Sequence, residues 1–375
     1  VLSGLDVALL AAFLAYCLAS GLRSRAVSSQ SPEQYFLAGR GLPGWKAGIS
    51  MAATQFAADT PLLVTGMIAT AGIFSLWRLW IYALAFLLLG FLLGGAWRRA
   101  GVLTDAELAE LRYDGRLATV LRTAKALYFG TIFNCAVMAM VLFAAIAIAE
   151  PFLRWEEWLP APWFDAVSGL LLRAGVSLPA SGFLSLLVVV AVTATYSTTG
   201  GLRAVVNTDL VQFVVAILAS AIYAAVVVRL VGGLGELGPR LEALHGAAWT
   251  SETLAFTPTR AREAGWVVLG TIAIQWIAQM NADGTGYLAQ RVMACRSDRD
   301  VRHAALVFVV AQVVVRSLLW IPIGLSLLVL FPMEGTSASA AARERTFVEG
   351  VALLLPAGVR GLMLTGMLAA LASTL

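Results

Sequence analysis

The sequence predicts an all-α polytopic membrane protein. Three observations carry this. Hydrophobic residues make up 60% of the 375 residues and charged residues only 13%, against about 25% charged in ordinary soluble domains. Mean hydropathy is +0.84. Nine apolar segments are each long enough to cross a hydrocarbon core, which takes about 20 helical residues, and the basic residues between them alternate in density.

The first segment, Val1 to about Leu22, lacks the basic start and small-residue cleavage site of a signal peptide and reads as a retained helix. The second, about Leu42–Ile73, is interrupted at its middle. The third, about Phe74–Trp97, carries Gly90 and Gly94 as a Gly-x-x-x-Gly face for close helix packing. The fourth is about Ala124–Ala149, the fifth about Phe183–Tyr196 continuing to Gly200, and the sixth about Leu210–Leu230. The seventh, about Gly265–Tyr287, is again interrupted. The eighth is about Ala304–Phe331, and the ninth runs from near Val348 to Leu375. Between spans, Thr104-Asp105-Ala106-Glu107 has a capping-box pattern opening an amphipathic stretch to about Arg112. Leu234–His245 predicts a short external amphipathic helix, and Trp155, Trp158 and Trp163 are expected as interfacial anchors. The chain starts without methionine and ends inside an apolar helix, so it is expected to be part of a longer protein.

Loop charges set an orientation. Arg23, Arg25, Arg40 and Lys46, then Arg98, Arg99, Arg112, Arg116, Arg122 and Lys125, then Arg203, then Arg291, Arg296, Arg299 and Arg302 fall on one side, 15 in all. The opposite loops carry seven, spread through longer stretches. The positive-inside rule places the first set in the cytoplasm and the N-terminus outside. Net charge is +4, but this distribution is an orientation signal and not a nucleic-acid patch. Nearly all basic residues are arginine, which suggests a GC-rich bacterial genome and a place in the cell (inner) membrane. Three cysteines argue against a disulfide framework, and His245 and His303 have no ligand-like spacing. Gly39-Arg40-Gly41-Leu42-Pro43-Gly44 matches a dinucleotide-binding pattern, but no strand precedes it and Pro43 lies inside it. It reads as a turn entering a membrane helix.

The two interrupted segments draw the chemistry together. In the second, Gln55, Asp59, Thr60 and Pro61 break an apolar helix, and Pro61 disfavours helical geometry at Thr60. In the seventh, Gln279, Asn281, Asp283 and two glycines do the same. Both contain Gln-x-x-Ala-Asp. Irregular backbone at membrane depth is tolerated only where it is buried in protein or lines a cavity, and an ionisable residue there is a functional-site hypothesis. Paired interruptions in corresponding positions of two halves point to a transporter binding site. A break also releases carbonyls, here those of Ala53 and Phe56. Near the C-terminus, Ala370, Ser373 and Thr374 share one helical face. They serve either close helix packing or, with those carbonyls, an oxygen shell for a hard monovalent cation.

Several stretches resemble the sodium:solute symporter family, whose members have the LeuT-type fold. These are Tyr35-Phe36-Leu37-Ala38-Gly39-Arg40, Thr104 to Tyr113, Tyr196-Ser197-Thr198-Thr199-Gly200-Gly201-Leu202-Arg203 through Asp209, Gln290-Arg291 with Ala294 and Arg296, and Ala370-x-x-Ser373-Thr374. The resemblance covers nearly the whole chain. It implies an inverted-repeat core with one extra N-terminal helix (1–22), a first five-helix repeat over 42–231 and an incomplete second repeat over 265–375. The chain then ends within core helix eight. It further implies Na+ ligation by the carbonyls of Ala53, Phe56 and Ala370 and the hydroxyls of Ser373 and Thr374. Asp209 is implied near the sodium exit path or in a second sodium site. Read from the residues alone, Asp209 could instead cap the helix that follows it.

The solute cavity is expected between the two breaks, lined by Gln55, Asp59, Thr60, Trp276, Gln279, Asn281 and Asp283, with Tyr287 as a further wall. Two carboxylates and three amides converge there with no arginine near either break. That favours a sugar- or polyol-like or a cationic small organic solute over a monocarboxylate, unless Arg78 or Arg316 neutralises an aspartate. The expected activity is sodium-coupled symport by alternating access. The expected partners are the solute, the sodium ion and the lipid bilayer, with no nucleic acid and no obligate protein partner. A proton-coupled carrier titrating Asp59 or Asp283, and a transporter-like membrane sensor, are the alternatives. An enzyme is not expected, since the spans hold no nucleophile–base pair.

Overall fold

The computed structural model describes residues 2–57, 59–176, 178–262, 264–278, 286–332 and 339–374, and every regular element among them is helical. In chain order these are α1 (Gly4–Ser28), α2 (Pro32–Leu37), α3 (Gly44–Thr54), α4 (Thr60–Ala71), α5 (Ile73–Arg99) and α6 (Leu108–Arg112). The next, α7, runs through Arg116–Leu127, Tyr128–Phe133 and Asn134–Ala149. There follow α8 (Trp155–Trp158), α9 (Ala161–Arg173), α10 (Ala180–Val231), α11 (Leu234–His245) and α12 (Ala247–Thr253). The chain closes with α13 (Trp266–Ala278), α14 (Gly286–Met293), α15 (Asp298–Leu330), α16 (Ala340–Leu354) and α17 (Val359–Thr374). By length and composition, α1, α5, Arg116–Phe143 of α7, α10 and α15 are long and apolar enough to cross a membrane. The broken segments supply shorter apolar helices, as α17 does.

The fifth and sixth predicted segments are two helices that meet at a kink at Gly201, within the 52-residue α10. Unbroken, it would be about 78 Å long, more than twice the ~30 Å hydrocarbon core. Gly201 has φ 57° and ψ −161°, a conformation nearly closed to residues with a Cβ. The Tyr35 carbonyl lies 2.6 Å from where a Cβ would stand. The α1 helix packs along both limbs of this bend. Its Tyr16 hydroxyl donates to the Asn207 carbonyl at 3.2 Å, and Ser28 Oγ donates to the Gly200 carbonyl at 2.6 Å.

At its start, α1 is closed by Ser3 and Asp6 in a reciprocal capping box. Asp6 does more than cap its own helix. Its Oδ1 accepts from the backbone amides of Gly358 and Gly361 at 2.7 and 2.8 Å, filling donors that the start of α17 leaves unpaired. The extra N-terminal helix therefore fixes the position of the helix carrying Ala370 and Ser373. The Gly90/Gly94 face packs as predicted, against Val301 and Ala305 of α15.

Several expectations are corrected. The ninth segment does not run continuously from Val348. It divides at Leu355–Gly358, where Pro356 lacks an amide and Gly358 has φ 84°, and the apolar helix begins at Val359. The helix of the second segment stops at Thr54 and restarts at Thr60. Pro61 is thus in the first turn of the new helix, where its missing amide costs nothing, and is not itself the break. The Thr104 side chain makes no cap bond; Glu107 Oε2 instead accepts from Leu103 N at 2.8 Å. Trp155 donates to Ser185 Oγ at 2.8 Å and packs inward, whereas Trp158 and Trp163 are exposed. Helix α11 has the predicted bounds. Residues 38–40 form the expected turn before α3.

Arg40 donates to the carbonyls of Arg98, Gly101 and Val102, and Arg98 to those of Cys295 and Arg296. Arg262, assigned to the opposite loops, donates to Thr70 and Thr253.

Candidate functional site

Helices α3 and α14 belong to the two interrupted segments, and the fold brings them together. Leu42 N donates to the Ala294 carbonyl, and Arg296 N to the Leu42 carbonyl, at 3.0 and 3.1 Å. Along α3, Ser50 and Thr54 are four residues apart and share a face. On α14, Arg291 points at that face. Its Nε donates to Ser50 Oγ and one Nη to Thr54 Oγ1, each at 2.8 Å.

Asp209 completes this cluster. Its Oδ2 accepts from Ser50 Oγ at 2.5 Å and from Arg291 at 3.3 Å. Its Oδ1 accepts from Ser373 Oγ at 2.7 Å, and Ser373 Oγ is also 3.4 Å from Thr54 Oγ1. Asp209 is fully buried, and Arg291 is 3% exposed. Four helices, α3, α10, α14 and α17, are thus tied through one carboxylate. The helix-capping reading of Asp209 is overturned: the residue lies inside the second limb of α10, eight positions past the Gly201 break. Arg291, counted among the loop charges, is a buried partner of Asp209.

The residues expected to hold a cation lie on α3, just past its end, and on α17, two helices that approach each other at Thr54 and Ser373. Ala53 and Phe56 are buried at the end of α3 and just past it, and Ala370 and Ser373 are buried on α17. The Ala53 carbonyl accepts from Phe56 N at 3.0 Å, which leaves it a second lone pair. With its hydrogen directed at Asp209, the Ser373 oxygen turns lone pairs outward. Such neutral oxygens suit a hard cation. Thr374 closes α17, and its side chain lies outside the described residues.

A cavity of about 220 Å³ opens at the other side of the break. Gln55, Asp59 and Thr60 line it as predicted, joined by Gln312 and Ser317 of α15. Trp80, Tyr82 and Trp320 form aromatic walls. Asp59 occupies the N-cap position of α4. Gln279, Asn281 and Asp283 lie outside the described residues, as do the side chains of Trp276 and Tyr287.

One expectation about this cavity fails. An arginine does stand at the first break. Arg316 is 1% exposed, with its guanidinium 4.4 Å from the ring centres of both Phe56 and Trp320. It also donates to Gln312 and, at 3.4 Å, to the Gln55 carbonyl. Asp59 is within its electrostatic reach. Sequence reasoning missed Ser50, Thr54, Gln312 and Ser317. The spacing of Ser50 and Thr54 on a helix already carrying Ala53 was the available signal for the first two. Gln312 and Arg316 are likewise four apart, on one face of α15.

Comparison with known proteins follows the same lines. A family model described as "Sodium:solute symporter family" matches residues 35–153 and 167–375. A sodium/glucose cotransporter from Vibrio parahaemolyticus is 24% identical over 391 aligned residues, covering 100% of this chain and 66% of that protein. Sodium/glucose cotransporter 1 of Ovis aries is 28% identical over 53% of this chain and 26% of its own length. The chain therefore spans less than two thirds of the length of these relatives. Among solved structures, a Na+-coupled sialic acid symporter in a substrate-bound outward-open state superposes with a TM-score of 0.74 at 17% identity. That match covers 99% of this chain and 71% of the other. This similarity gives the LeuT-type fold.

Proposed function

The chain belongs to the sodium:solute symporter family, and from that premise we propose that it carries a small, neutral, polyhydroxylated solute across the membrane in symport with sodium. The observation that carries this reading is the division of labour at the α3–α4 break. On one side Thr54 of α3 approaches the Ser373 hydroxyl of α17 at 3.4 Å, whereas on the other Gln55, Asp59 and Thr60 line the cavity. Sodium, as cargo, is held by the carbonyls of Ala53, Phe56 and Ala370 and the hydroxyls of Ser373 and Thr374. Asp209, bonded to Ser373, lies on the path by which the ion leaves.

Sodium drives uptake through its differential affinity for the outward- and inward-facing states. An ion bridging α3 and α17 favours the arrangement in which both helices contribute ligands. The solute then binds at the break, the helices rock, and both cargoes leave inward. Membrane potential adds about 2.3 kcal/mol per charge per 100 mV. In this reading the N-terminus is outside, which the positive-inside distribution supports, and the membrane is the cell (inner) membrane.

The solute class follows from the cavity. Amide, carboxylate and hydroxyl groups offer donors and acceptors to several hydroxyls at once, and Trp80, Tyr82 and Trp320 present apolar faces to a ring. Arg316 beside Asp59 weakens the case for a cationic solute. The sodium/glucose cotransporters among the relatives agree with a hexose-like cargo.

Thermal unfolding of the purified chain, with a panel of hexoses, polyols, amino acids and carboxylates in sodium or potassium, tests the proposal. A ligand at one hundred times its Kd stabilises by about 2.7 kcal/mol. Stabilisation by a hexose or polyol is expected in sodium and not in potassium, with sodium alone giving part of the shift. Ser373→Ala with Thr374→Ala is expected to erase the sodium-specific part. An equal sodium shift in that variant, or stabilisation by carboxylates alone, would sink the reading.

A further inference from the structure

Away from the solute cavity, an open groove lies between α6 and α7, with a volume of about 500 Å³. Its floor is apolar and aromatic, formed by Leu108, Leu121, Tyr128 and Phe129, and its rim carries Arg112 and Lys125. We propose that this groove binds one anionic phospholipid, the headgroup phosphate against Arg112 and Lys125 and an acyl chain along Leu121, Tyr128 and Phe129.

The surroundings place the groove where a lipid is. The most apolar window of Arg116–Phe143 has only 6% of its residues buried within the protein. Leu117, Val120 and Ile132 are 82%, 61% and 66% exposed, so this helix face is covered by bilayer or by nothing. Along α7 the sequence changes from charged (Arg116, Arg122, Lys125) to uncharged and mostly apolar after Lys125, which marks the boundary of the hydrocarbon. The groove opens at that boundary. It belongs to the arginine-rich end of the molecule, since Arg40 reaches the Gly101 and Val102 carbonyls just before this loop.

Charge selects the kind of lipid. The carboxylates of this loop are largely committed. Glu107 and Glu110 pair with Arg122, and Asp105 Oδ2 is 3.7 Å from Lys125 Nζ. Lys125 also donates to the Asp105 carbonyl at 3.2 Å. Arg112 has no carboxylate within 4 Å among the described residues, and its guanidinium is 5.9 Å from the Tyr113 ring centre. Asp114, two residues on, is the remaining acid of the loop. The rim is therefore left with one unneutralised arginine and one loosely paired lysine above an apolar slot. A phosphate with an attached chain satisfies both parts, whereas a free phosphate uses only the rim. Each basic group near an anionic membrane surface contributes about 1 kcal/mol.

Native mass spectrometry of the purified chain, with phosphatidylglycerol and phosphatidylcholine offered together in detergent micelles, tests this without reference to transport. One phosphatidylglycerol is expected to be retained about thirty-fold better than phosphatidylcholine, the two cations together giving about 2 kcal/mol. Arg112→Gln with Lys125→Gln is expected to abolish the preference, and Arg112→Lys with Lys125→Arg to restore it. Leu121→Asn, which keeps the charges, is expected to weaken retention of both lipids. Unchanged preference in the Gln variant overturns the proposal. Displacement of the lipid by millimolar inorganic phosphate also overturns it, because the site would then be one for phosphate alone. Folding of each variant is followed by circular dichroism, and the charge-restored variant keeps the comparison valid if the Gln variant is unstable.

Discussion

Asp209→Ala is expected to destabilise the protein by about 3–5 kcal/mol, the usual cost of removing one partner from a buried ion pair. The cost arises on the partners left behind. Arg291, 3% exposed, keeps its charge without a counter-ion, and the Ser50 and Ser373 hydroxyls lose their acceptor. Arg291→Ala is expected to be comparably harmful, because Asp209 is then the stranded charge. The double variant removes both charges together, so its loss should be well below the sum of the two. Asp209→Asn keeps an acceptor for Ser373 and should fall between wild type and alanine. Chemical denaturation of the four proteins in one detergent measures the cycle. Strictly additive losses, or an Asp209→Ala effect under about 1 kcal/mol, would show that the cluster is not cooperative. The same variants matter for the proposed sodium site, since Ser373 is oriented through Asp209.

What the sequence revealed and what it concealed have a physical division. Features that depend on residue type along one helix were legible: the all-helical apolar character, the turn at residues 38–40, the α11 bounds, the Gly90/Gly94 face and the break around Gln55, Asp59 and Thr60. Each follows from local hydropathy or from a polar residue in an apolar run. Pairings between distant segments were not legible. Arg291 was counted with the loop charges because it follows an interrupted span, and only packing of α14 on α3 buries it beside Asp209. Asp209 looked like a helix cap because the sixth span was expected to start at Leu210, whereas the helix after the Gly201 kink already contains residues 202–209. The ninth span was drawn too early because residues 348–355 are apolar enough to continue it, although Pro356 and Gly358 break it. Hydropathy marked the apolar runs but could not give helix boundaries or the long-range pairing that buries a charge.

Arg316→Leu is expected to have the second large effect, on both stability and solute choice. The guanidinium lies against both Phe56 and Trp320, each ring centre at 4.4 Å, and cation–π contacts of this kind contribute about 0.5–2 kcal/mol. It is also the positive neighbour of Asp59. Without it Asp59 is left with the like charge of Glu344 on α16, and the cavity becomes net acidic. A loss of about 1–3 kcal/mol is expected from the lost ring contacts and hydrogen bonds, and Asp59→Asn in the same protein should recover the part that comes from the unbalanced carboxylate. Solute preference should move in parallel, from neutral polyols in the wild type toward organic cations in Arg316→Leu. Arg316→Lys separates the two roles. It keeps the charge but loses the planar stack and the fork of donors, so it should retain the neutral preference while losing stability. Competition binding with a polyol and a quaternary ammonium solute, run across the four proteins, reads the selectivity. If Arg316→Leu keeps the wild-type preference, Arg316 serves only to pack the break. If Arg316→Lys behaves like Arg316→Leu, the contact with the Phe56 and Trp320 rings and not the charge sets the choice of solute.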